Sequence, residues 1–462
     1  MESSFIENIY EIFSTDSCAA IFPGYINDLS KRRFRWMVNY AFEKSPYYRR
    51  KFQKAIVKHA PYEYFPISNK KELMANFDQV VTEPGIRLTD IKKFISTPKN
   101  IGKPFKDKYF IWESSGTNGI QGIYIQDRQC VSKYQAIEAM RKPLDSIFTQ
   151  YMRQRLGNER IAYIGVLDHY YASTVSLAIL RNDFPHLQKI IKDFSIFEPT
   201  KKLVSQLIDY RPTVIITYPS MAKCLASHGF QNFHPQEFWL GGENLSTQQR
   251  NYIEGSLNTK IYSSYGASEF LPIAWECGHN NLHVNSDQVL LEAVDENYLP
   301  LPAGITSHTT LLTNFSNTTQ PIIRYDLGDT IRYSSTKCSC GSVLPHIEIS
   351  GRASDILRFT DIQGNVIKIP ALLIIGLIEE HGIFNAIIVV IKNTNTEGKL
   401  QELHIDFGEN SHPTEQQIQK TQHSIRSYLK QNYMIDTRIV CATNIQKLQD
   451  HSGKVKLLRS ES

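Results

Sequence analysis

The pattern of apolar and polar residues changes twice along the chain. Up to about residue 110 the apolar positions recur at helical spacing, and Pro46 and Pro61 punctuate the amphipathic segments 33–44 and 47–58. From residue 108 onward, short apolar runs that are typical of strands alternate with stretches that are typical of helices. The strand-like runs include 160–166, 213–217 and 237–240, and the helix-like stretches include 200–210 and 220–228. We therefore predict a large N-terminal α/β body that spans residues 1–350.

A second unit begins after Gly351-Arg352. Six elements follow one another there in the order β-α-β-β-α-β, which is the order of a ferredoxin-like α+β domain. They are a strand at 366–369, a helix at 371–381, strands at 386–392 and 402–407, a helix at 414–431 and a strand at 438–441. The sequence therefore predicts a small C-terminal domain of residues 351–462. Two domains that meet at a polar junction suggest a binding site between them.

Composition and charge exclude several classes of protein. The 462 residues are 41% hydrophobic and 21% charged, and the net charge is +5, which is ordinary for a globular protein. No block of Lys and Arg is dense enough to predict nucleic-acid binding. The N-terminus lacks the pattern of a secretory signal, and no run approaches the roughly 18 apolar residues that cross a bilayer, so we expect no membrane partner. Seven cysteines, an odd number, favour a reducing compartment, and we expect the cytoplasm.

The loop at 114–119 is a candidate phosphate site. It lies between two strand-like runs, and its glycines would let backbone amides converge on an anion while its hydroxyls donate to phosphate oxygens. The candidate ligands are Ser114, Ser115, Gly116, Thr117 and Gly119. The loop is not a Walker loop, because it lacks the Gly-Lys-Ser/Thr ending and a strand follows it. Taken alone, the same sequence is also that of an ordinary hairpin turn.

Two groups of candidate ligands come directly after predicted strands, where ligands bind in open α/β sheets. The candidates for nucleotide binding are Gly241, Gly242, Glu243, Ser264, Tyr265 and Gly266. The ring of Tyr265 could stack on adenine, and the carboxylate of Glu269 could bind Mg²⁺, which prefers hard oxygen ligands. The alternatives are a helix-capping turn at Glu243, a buried tyrosine and a surface glutamate.

Asp329 and Arg352 form the next candidate pair. A carboxylate can accept hydrogen bonds from both hydroxyls of a ribose, and a guanidinium offers several donors in a fixed geometry. The alternative is a structural ion pair between the two side chains.

Two short Cys/His motifs suggest a zinc site. Four nitrogen and sulfur ligands make a closed tetrahedral site, and the predicted set is Cys277, His279, Cys338 and Cys340. His283 competes with His279 for the fourth position. The alternative is four unrelated side chains, with the cysteines packed as small apolar groups.

In their order along the chain, these motifs resemble those of the phenylacetate–CoA ligase-like branch of the adenylate-forming superfamily. The resemblance runs from about Phe34 to Lys456 and covers nearly the whole chain. The matching segments are the N-terminal helical opening (34–51), the phosphate loop (112–117), the adenine-side strand end (241–243), the aromatic-Gly-x-Ser/Thr-Glu signature (265–269), the ribose motif (323–329), the hinge (351–355) and the lysine motif (452–454).

The resemblance implies an α/β body of adenylate-forming type that binds ATP and Mg²⁺. It also implies catalytic roles for Glu269, Arg352 and Lys454, with Lys456 as the alternative lysine. Relatives in this branch carry comparable Cys/His pairs, which favours a structural Zn²⁺, and many of them are homodimers. The chain departs from the pattern at Ile120, where the family usually has the lysine of Thr-Gly-Lys-Pro, and at Ser354 in the hinge.

The function that the resemblance implies is ATP-dependent activation of a carboxylic acid, an aryl or medium-sized organic acid, to an acyl-adenylate. Transfer to coenzyme A would then give an acyl-CoA, AMP and pyrophosphate. One alternative keeps the adenylation step and transfers the acyl group to an amine, a carrier-protein thiol or another protein. A second alternative is a degenerate nucleotide-binding protein without turnover.

Overall fold

The structure is a computed structural model. It describes residues 2–58, 60–114, 121–143, 151–154, 157–227, 234–352, 355–361, 363–383, 387–391, 402–407, 413–442 and 458–461. Among these residues, no helix combines the length and the apolar character that a membrane span needs.

The first hundred residues form helices and connections, as the spacing of apolar residues predicts. The helices are α1 (Glu2–Ile21), α2 (Tyr25–Lys44), α3 (Pro46–Val57), α4 (Lys70–Ala75), α5 (Phe77–Val80) and α6 (Leu88–Ile95). Helix α3 begins where Pro46 fixes the first helical position and the hydroxyl of Ser45 accepts a hydrogen bond from the amide of Tyr48. The same Ser45 hydroxyl donates a hydrogen bond to the carbonyl of Gln79, so this cap also joins α3 to α5.

A hairpin and a large sheet build the N-terminal body. The elements that follow in chain order are β1 (Tyr109–Glu113), β2 (Ile123–Asp127), α7 (Arg128–Arg141), β3 (Ile161–Gly165), α8 (Ala172–Asp183), β4 (Ile191–Ser195), α9 (Thr200–Tyr210), β5 (Val214–Thr217), α10 (Pro219–Ser227), β6 (Glu237–Leu240), α11 (Thr247–Leu257), β7 (Lys260–Ala267), β8 (Phe270–Glu276), β9 (Leu282–Val284), β10 (Val289–Val294), β11 (Thr309–Asn314), β12 (Tyr325–Asp326), β13 (Asp329–Tyr333) and β14 (His346–Arg352).

Nine of these strands form one sheet in the order β13-β14-β9-β8-β7-β6-β5-β3-β4. Strands β3 to β7 pair in parallel, whereas β8, β9, β13 and β14 pair antiparallel. Strands β3 and β6 are buried along their whole length, as expected for parallel strands with helices on both faces. The α/β class predicted from the alternating pattern is confirmed, and the loops after β6 and β7 open at one edge of this sheet.

The C-terminal part has its own hydrophobic cluster, whose buried members run from Leu357 to Ile439. Its elements are β15 (Ile356–Thr360), β16 (Val366–Pro370), α12 (Ala371–Glu379), β17 (Ile387–Ile391), β18 (Glu402–Asp406), α13 (Glu415–Tyr433), β19 (Arg438–Ala442) and β20 (Leu458–Glu461). The predicted β-α-β-β-α-β order therefore occurs along the chain, from β16 to β19.

The membership of the small sheet differs from the simple ferredoxin-like arrangement. Its order is β19-β18-β17-β20, and β16 pairs with β15 in a separate two-stranded sheet. The reason is local, because the turn between β15 and β16 is stabilised by Asp361, which accepts hydrogen bonds from the amides of Gln363 and Asn365. Gly364 in this turn has a φ of 87°, which favours glycine. A tight hairpin of this kind pairs β16 with its sequence neighbour.

The first helix of the C-terminal part contacts the N-terminal body. The carboxylate of Glu379, in the last turn of α12, accepts hydrogen bonds of 2.6 Å from the hydroxyl of Ser246 and from the side-chain amide of Gln249 at the start of α11. Burial raises the pKa of Glu379, and these hydrogen bonds oppose the shift. The two parts of the chain therefore meet beside the ends of β6 and β7.

Candidate active site

A cleft of about 2700 Å³ opens at the ends of β6 and β7. Residues from both parts of the chain line it, with Leu372, Gly376 and Glu379 contributed by α12. The predicted site residues along its wall are Ser114, Gly241, Gly242, Glu243, Ser264, Tyr265, Gly266, Glu269, Asp329 and Arg352. Five segments that are far apart in sequence thus bring these residues to a single site.

Tyr265 and Asp329 bind one another across the cleft wall. The hydroxyl of Tyr265 donates to the carboxylate of Asp329 over 2.7 Å, and the tyrosine is 8% exposed. Burial raises the pKa of Tyr265 well above its usual value, and the neighbouring Asp329 raises it further, so the phenol stays protonated and can donate. The next residue, Gly266, has no room for a side chain, because a Cβ there would lie 2.0 Å from the carbonyl oxygen of Leu271.

Asp329 also lies beside Arg352. The two residues are opposite one another in the antiparallel pair β13–β14, and the Nε of Arg352 is 3.4 Å from the carboxylate. The charge of Asp329 is the main cause that raises the pKa of Arg352. The ion pair that the sequence offered as an alternative is therefore present, and it stands in the wall of the cleft, where both side chains can also meet a ligand.

Glu269 is held by residues that the motifs did not identify. The hydroxyl of Tyr124, on β2, donates to the Glu269 carboxylate, and Tyr124 and Tyr325 have their hydroxyl oxygens 3.3 Å apart. Burial raises the pKa of Tyr124 well above its usual value. The Nδ2 of Asn314 donates to the Glu269 carbonyl over 3.0 Å, so both the carboxylate and the backbone of this residue are fixed. In the sequence, only the position of Tyr124 within the strand-like run that becomes β2 signals this residue.

The start of the phosphate loop lies between the two strands of the β1–β2 hairpin. Ser114 exchanges backbone and side-chain hydrogen bonds with Gly122, and its hydroxyl lies 3.2 Å from the Nζ of Lys70 at the start of α4. Lys70 lines the cleft and was not predicted. The other candidates of this loop, Ser115, Gly116, Thr117 and Gly119, lie outside the described residues, as do Ile120, Ser354, Lys454 and Lys456.

Glu243 caps a helix as well as lining the cleft. Its carboxylate accepts hydrogen bonds of 3.0 Å from the amide and from the hydroxyl of Ser220, in the first turn of α10. The capping alternative is thus observed, although the helix concerned is α10, while Ser246 caps the following helix α11. Gly241 approaches the second strand end closely, because a Cβ there would lie 3.0 Å from the hydroxyl of Ser264.

The Cys/His motifs come together in a cluster that differs from the predicted set in one residue. The cluster is Cys277, His283, Cys338 and Cys340, whose ligand atoms all lie within 4.8 Å of one another. The prediction of His279 is corrected to His283. The reason is the tight turn after Cys277, whose amide donates to the carbonyl of Asn281, which leaves His279 exposed at the tip and places His283 on β9.

The donor set of this cluster fits a zinc ion. The sulfur atoms of Cys277 and Cys338 are 3.7 Å apart, close to the roughly 3.8 Å edge of a tetrahedron with zinc–sulfur bonds of about 2.3 Å. The Nδ1 of His283 is 2.8 Å from the carbonyl of Leu344, and its Nε2 is 3.3 Å from the sulfur of Cys340. A carbonyl at Nδ1 favours the tautomer in which Nε2 is free to bind a metal. All seven cysteines of the chain are unbridged.

Comparison with known proteins finds relatives among CoA ligases. A phenylacetate-coenzyme A ligase from Thermus thermophilus is 28% identical over 189 residues, which is 38% of this chain and 42% of that protein. Protein CapK from Staphylococcus aureus is 23% identical over 313 residues, 66% of this chain and 62% of that protein. The chain thus spans less than two thirds of the length of either relative. No protein-family model matches it.

Among solved structures, 2-hydroxyisobutyryl-CoA ligase in its postadenylation state, in complex with R3-HIB-AMP, superposes with a TM-score of 0.67. The sequence identity is 17%, and the match covers 94% of this chain and 89% of that one. The fold is therefore that of the adenylate-forming CoA ligases. The resemblance to the phenylacetate–CoA ligase-like branch, predicted from the motifs, is confirmed.

Proposed function

We propose that the chain is an enzyme that activates a carboxylic acid with ATP and transfers the acyl group to coenzyme A. The observation that carries the proposal is the arrangement of Tyr265, Glu269, Asp329 and Arg352 on the wall of one cleft, in a fold shared with CoA ligases. The side chains that would bind the nucleotide and the cation come from β7, from the turn after it, and from the paired strands β13 and β14. The acid is an aryl or medium-sized organic acid.

The nucleotide would bind along this wall. The carboxylate of Asp329 accepts from the ribose hydroxyls, and its hydrogen bond to Tyr265 and its contact with Arg352 fix its position before ATP arrives. Arg352 would also contribute positive charge, which stabilises the negative charge that develops on the phosphate oxygens. The ring of Tyr265 offers a face to adenine.

Glu269 would hold Mg²⁺. This side chain suits the ion because its carboxylate is a hard oxygen ligand. Glu269 is 8% exposed, and the hydroxyl of Tyr124 orients its carboxylate. When bound, the cation would neutralise charge on the phosphates of ATP. The protein's own contribution is to keep the Glu269 carboxylate in one orientation.

The reaction has two steps. In the first, an oxygen of the substrate carboxylate attacks the α-phosphorus of ATP, the bond to the bridging oxygen breaks, and pyrophosphate leaves. In the second, the thiol of coenzyme A attacks the acyl carbon of the acyl-adenylate, loses its proton, and AMP leaves with the oxygen that came from the acid. Positioning and electrostatics supply the catalysis in both steps, because no covalent bond to the protein is needed.

The two-domain division belongs to this proposal. Residues 1–350 would bind ATP and the acid, and residues 351–462 would form the smaller domain that carries Lys454, with the hinge near Arg352. The separate hydrophobic cluster of the C-terminal part supports this division. The loop from Ser115 to Gly119 would contribute amides and hydroxyls to the phosphates, with Lys70 nearby at Ser114.

A structural zinc ion would be held by Cys277, His283, Cys338 and Cys340. It would join the turn before β9 to the loop before β14, and it would take no part in the proposed reaction. The free cysteines and this ligand set also support a reducing compartment such as the cytoplasm.

Pyrophosphate release tests the proposed function. Purified protein is incubated with ATP, Mg²⁺ and a panel of aryl and aliphatic acids, each with and without coenzyme A. We expect release that depends on the acid and increases with coenzyme A. Acid-dependent release that does not change with coenzyme A would indicate that the acyl group goes to another acceptor. ATP binding without acid-dependent release from any member of a wide panel would contradict the proposal.

A further inference from the structure

Beyond Ser264 the cleft continues into a pocket between α7, α8 and the strands β6 and β8. We call this pocket the acid end and define it by Glu138, Lys142, Trp239 and Trp275, which all line the cleft. Trp239 lies on β6 two residues before Gly241, and Trp275 lies opposite Ser264 in the β7–β8 pair. The remaining wall is mostly apolar and includes Tyr163, Leu177, Leu180 and Leu271. The pocket therefore adjoins the proposed nucleotide site and can hold an apolar group.

Lys142 brings into this pocket an ammonium group that forms no ion pair with any residue that the structure describes. Its ammonium nitrogen lies 3.7 Å from the ring centroid of Trp239 and 5.7 Å from that of Trp275. Across the described part of the chain, no carboxylate oxygen comes within 4.0 Å of it. Burial lowers the pKa of Lys142 and raises that of Glu138, which lies one turn earlier on α7.

Two other acidic groups near Lys142 share a single cation, Arg153. Its guanidinium contacts the Glu159 carboxylate at 2.5 Å and the Glu237 carboxylate at 3.1 Å. Glu237 accepts a further hydrogen bond from the indole of Trp239 over 2.9 Å, which fixes that ring beneath Lys142. All three carboxyl groups raise the pKa of Lys142 against the effect of burial, and Glu138 does so most.

Trp275 adds a second donor without an acceptor. The side chain is 8% exposed, and its Nε1 is buried with no hydrogen-bond partner among the residues that the structure describes. A buried donor that finds no acceptor costs free energy, whereas most buried indole groups find a partner. The acid end thus combines the Lys142 ammonium group and the buried N–H donor of Trp275 with the carboxyl group of Glu138, in a wall that is otherwise mostly apolar.

We propose that the acid end binds the part of the substrate that is remote from its carboxyl group, and that Lys142 and Trp275 select acids with a hydrogen-bond acceptor there. The substrate class is an organic acid with an apolar body and a remote hydroxyl, carbonyl or second carboxylate. The inference rests on the proposed function, because it assigns a binding site to the far end of the acid that the proposed reaction activates. An acceptor in this position would satisfy both donors, while a purely apolar acid would leave them unpaired.

The test compares acids that differ only in the remote group. Values of kcat/KM for pyrophosphate release are measured with benzoate, 4-hydroxybenzoate and terephthalate, and with hexanoate and adipate. In each series, we expect kcat/KM of the wild-type protein to be about tenfold or more higher for the better acceptor-bearing acid than for the plain acid, benzoate or hexanoate. This factor is the value of one charge-assisted hydrogen bond. Lys142→Met, which keeps the length and apolar stem of the side chain, should abolish this preference.

Two further variants keep the test decisive. Lys133 lies on α7, the helix that ends just before Lys142, where it pairs with Glu11 and does not line the cleft. The Lys133→Met variant should therefore retain the preference. Trp275→Phe removes the indole N–H and keeps an aromatic ring, so it should weaken the preference by about threefold, as expected for one neutral hydrogen bond, even if Lys142→Met fails to fold.

The outcomes separate this inference from the function on which it rests. Turnover of plain and acceptor-bearing acids at equal efficiency, or a preference that survives in Lys142→Met, would overturn the inference and leave the proposed function intact. Failure of every acid to release pyrophosphate would contradict the proposed function itself, and this inference with it.

Discussion

The two ends of the cleft differ in how their polar side chains find partners. At the nucleotide end, which we define by Tyr265, Glu269, Asp329 and Arg352, the described contacts already join these groups to one another or to Tyr124. At the acid end, the described residues provide Lys142 with aromatic faces and leave the Trp275 indole without an acceptor.

This difference indicates two kinds of preparation for a ligand. The side chains of the nucleotide end already contact one another, and if this end binds ATP as proposed, these contacts would reduce the cost of ordering them around the nucleotide. The acid end leaves donors that only a ligand of matching chemistry would satisfy, which is how a site discriminates between similar molecules. Substitutions at the nucleotide end should therefore lower the rate for every acid, while substitutions at the acid end should change which acid is preferred.

The largest effect is expected from Glu269→Gln. The amide keeps the shape of the side chain and removes the negative charge that would hold Mg²⁺, so kcat for pyrophosphate release should fall by about 10² to 10³-fold with every acid, the range for loss of one preorganised electrostatic contact. The exposed Glu43→Gln serves as the matched control and should retain the rate. A Glu269→Gln protein with wild-type kcat and an unchanged requirement for Mg²⁺ would contradict the assignment.

Asp329→Asn should act mainly on the affinity for ATP. The substitution weakens the contacts with Tyr265 and Arg352 and the acceptance of hydrogen bonds from the ribose, so KM for ATP should rise by about 10 to 100-fold, as expected for hydrogen bonds that involve a charged group. Kinetics with ATP and with 2′-deoxy-ATP provide the measurement. If the variant and the wild type discriminate equally between the two nucleotides, Asp329 does not bind the ribose.

Loss of the Cys/His cluster should affect stability without affecting the choice of acid. His283→Ala should release bound zinc and lower the melting temperature by several degrees, because metal binding contributes directly to folding. His279→Ala is the matched control from the same turn and should keep both zinc and stability, since its side chain is exposed. Metal content and thermal unfolding are measured together, and loss of metal in His279→Ala but not in His283→Ala would reverse the correction made above.

The smallest effect is expected from Tyr124→Phe. Removing this hydroxyl leaves the Glu269 carboxylate in place but frees its orientation, so kcat should fall by about tenfold, the low end of the range for one hydrogen bond to a charged group. The fall should be the same for plain and acceptor-bearing acids, which distinguishes Tyr124 from Lys142. A changed acid preference in Tyr124→Phe would show that the two ends of the cleft are not separate.

Residues at strand ends were predictable from the sequence because local pattern places them. Tyr265 lies near the end of β7 and Asp329 at the start of β13, and neighbouring strands bring such ends to one edge of a sheet. The α/β class and the β-α-β-β-α-β order of the C-terminal part follow from the same alternation. Recognition of the family motifs then supplied the roles.

The partners of those residues were not predictable, because they depend on packing between distant segments. Tyr124 and Glu269 are separated by 145 positions, and Lys142 meets Trp239 at the junction of a helix and a sheet. The choice between His279 and His283 depends on the geometry of a single turn, and the pairing of β16 with β15 depends on a local hairpin. In each case the periodicity of the sequence is compatible with both outcomes.

Isotope transfer from the acid tests the central claim most directly. An acid labelled with ¹⁸O in its carboxyl group is incubated with the protein, ATP, Mg²⁺ and coenzyme A, and the nucleotide and phosphate products are analysed by mass spectrometry. If the carboxylate attacks the α-phosphorus, one labelled oxygen leaves with AMP in each turnover, and the pyrophosphate stays unlabelled. Label in inorganic phosphate with ADP as the nucleotide product, or turnover that leaves AMP unlabelled, would contradict activation through an acyl-adenylate.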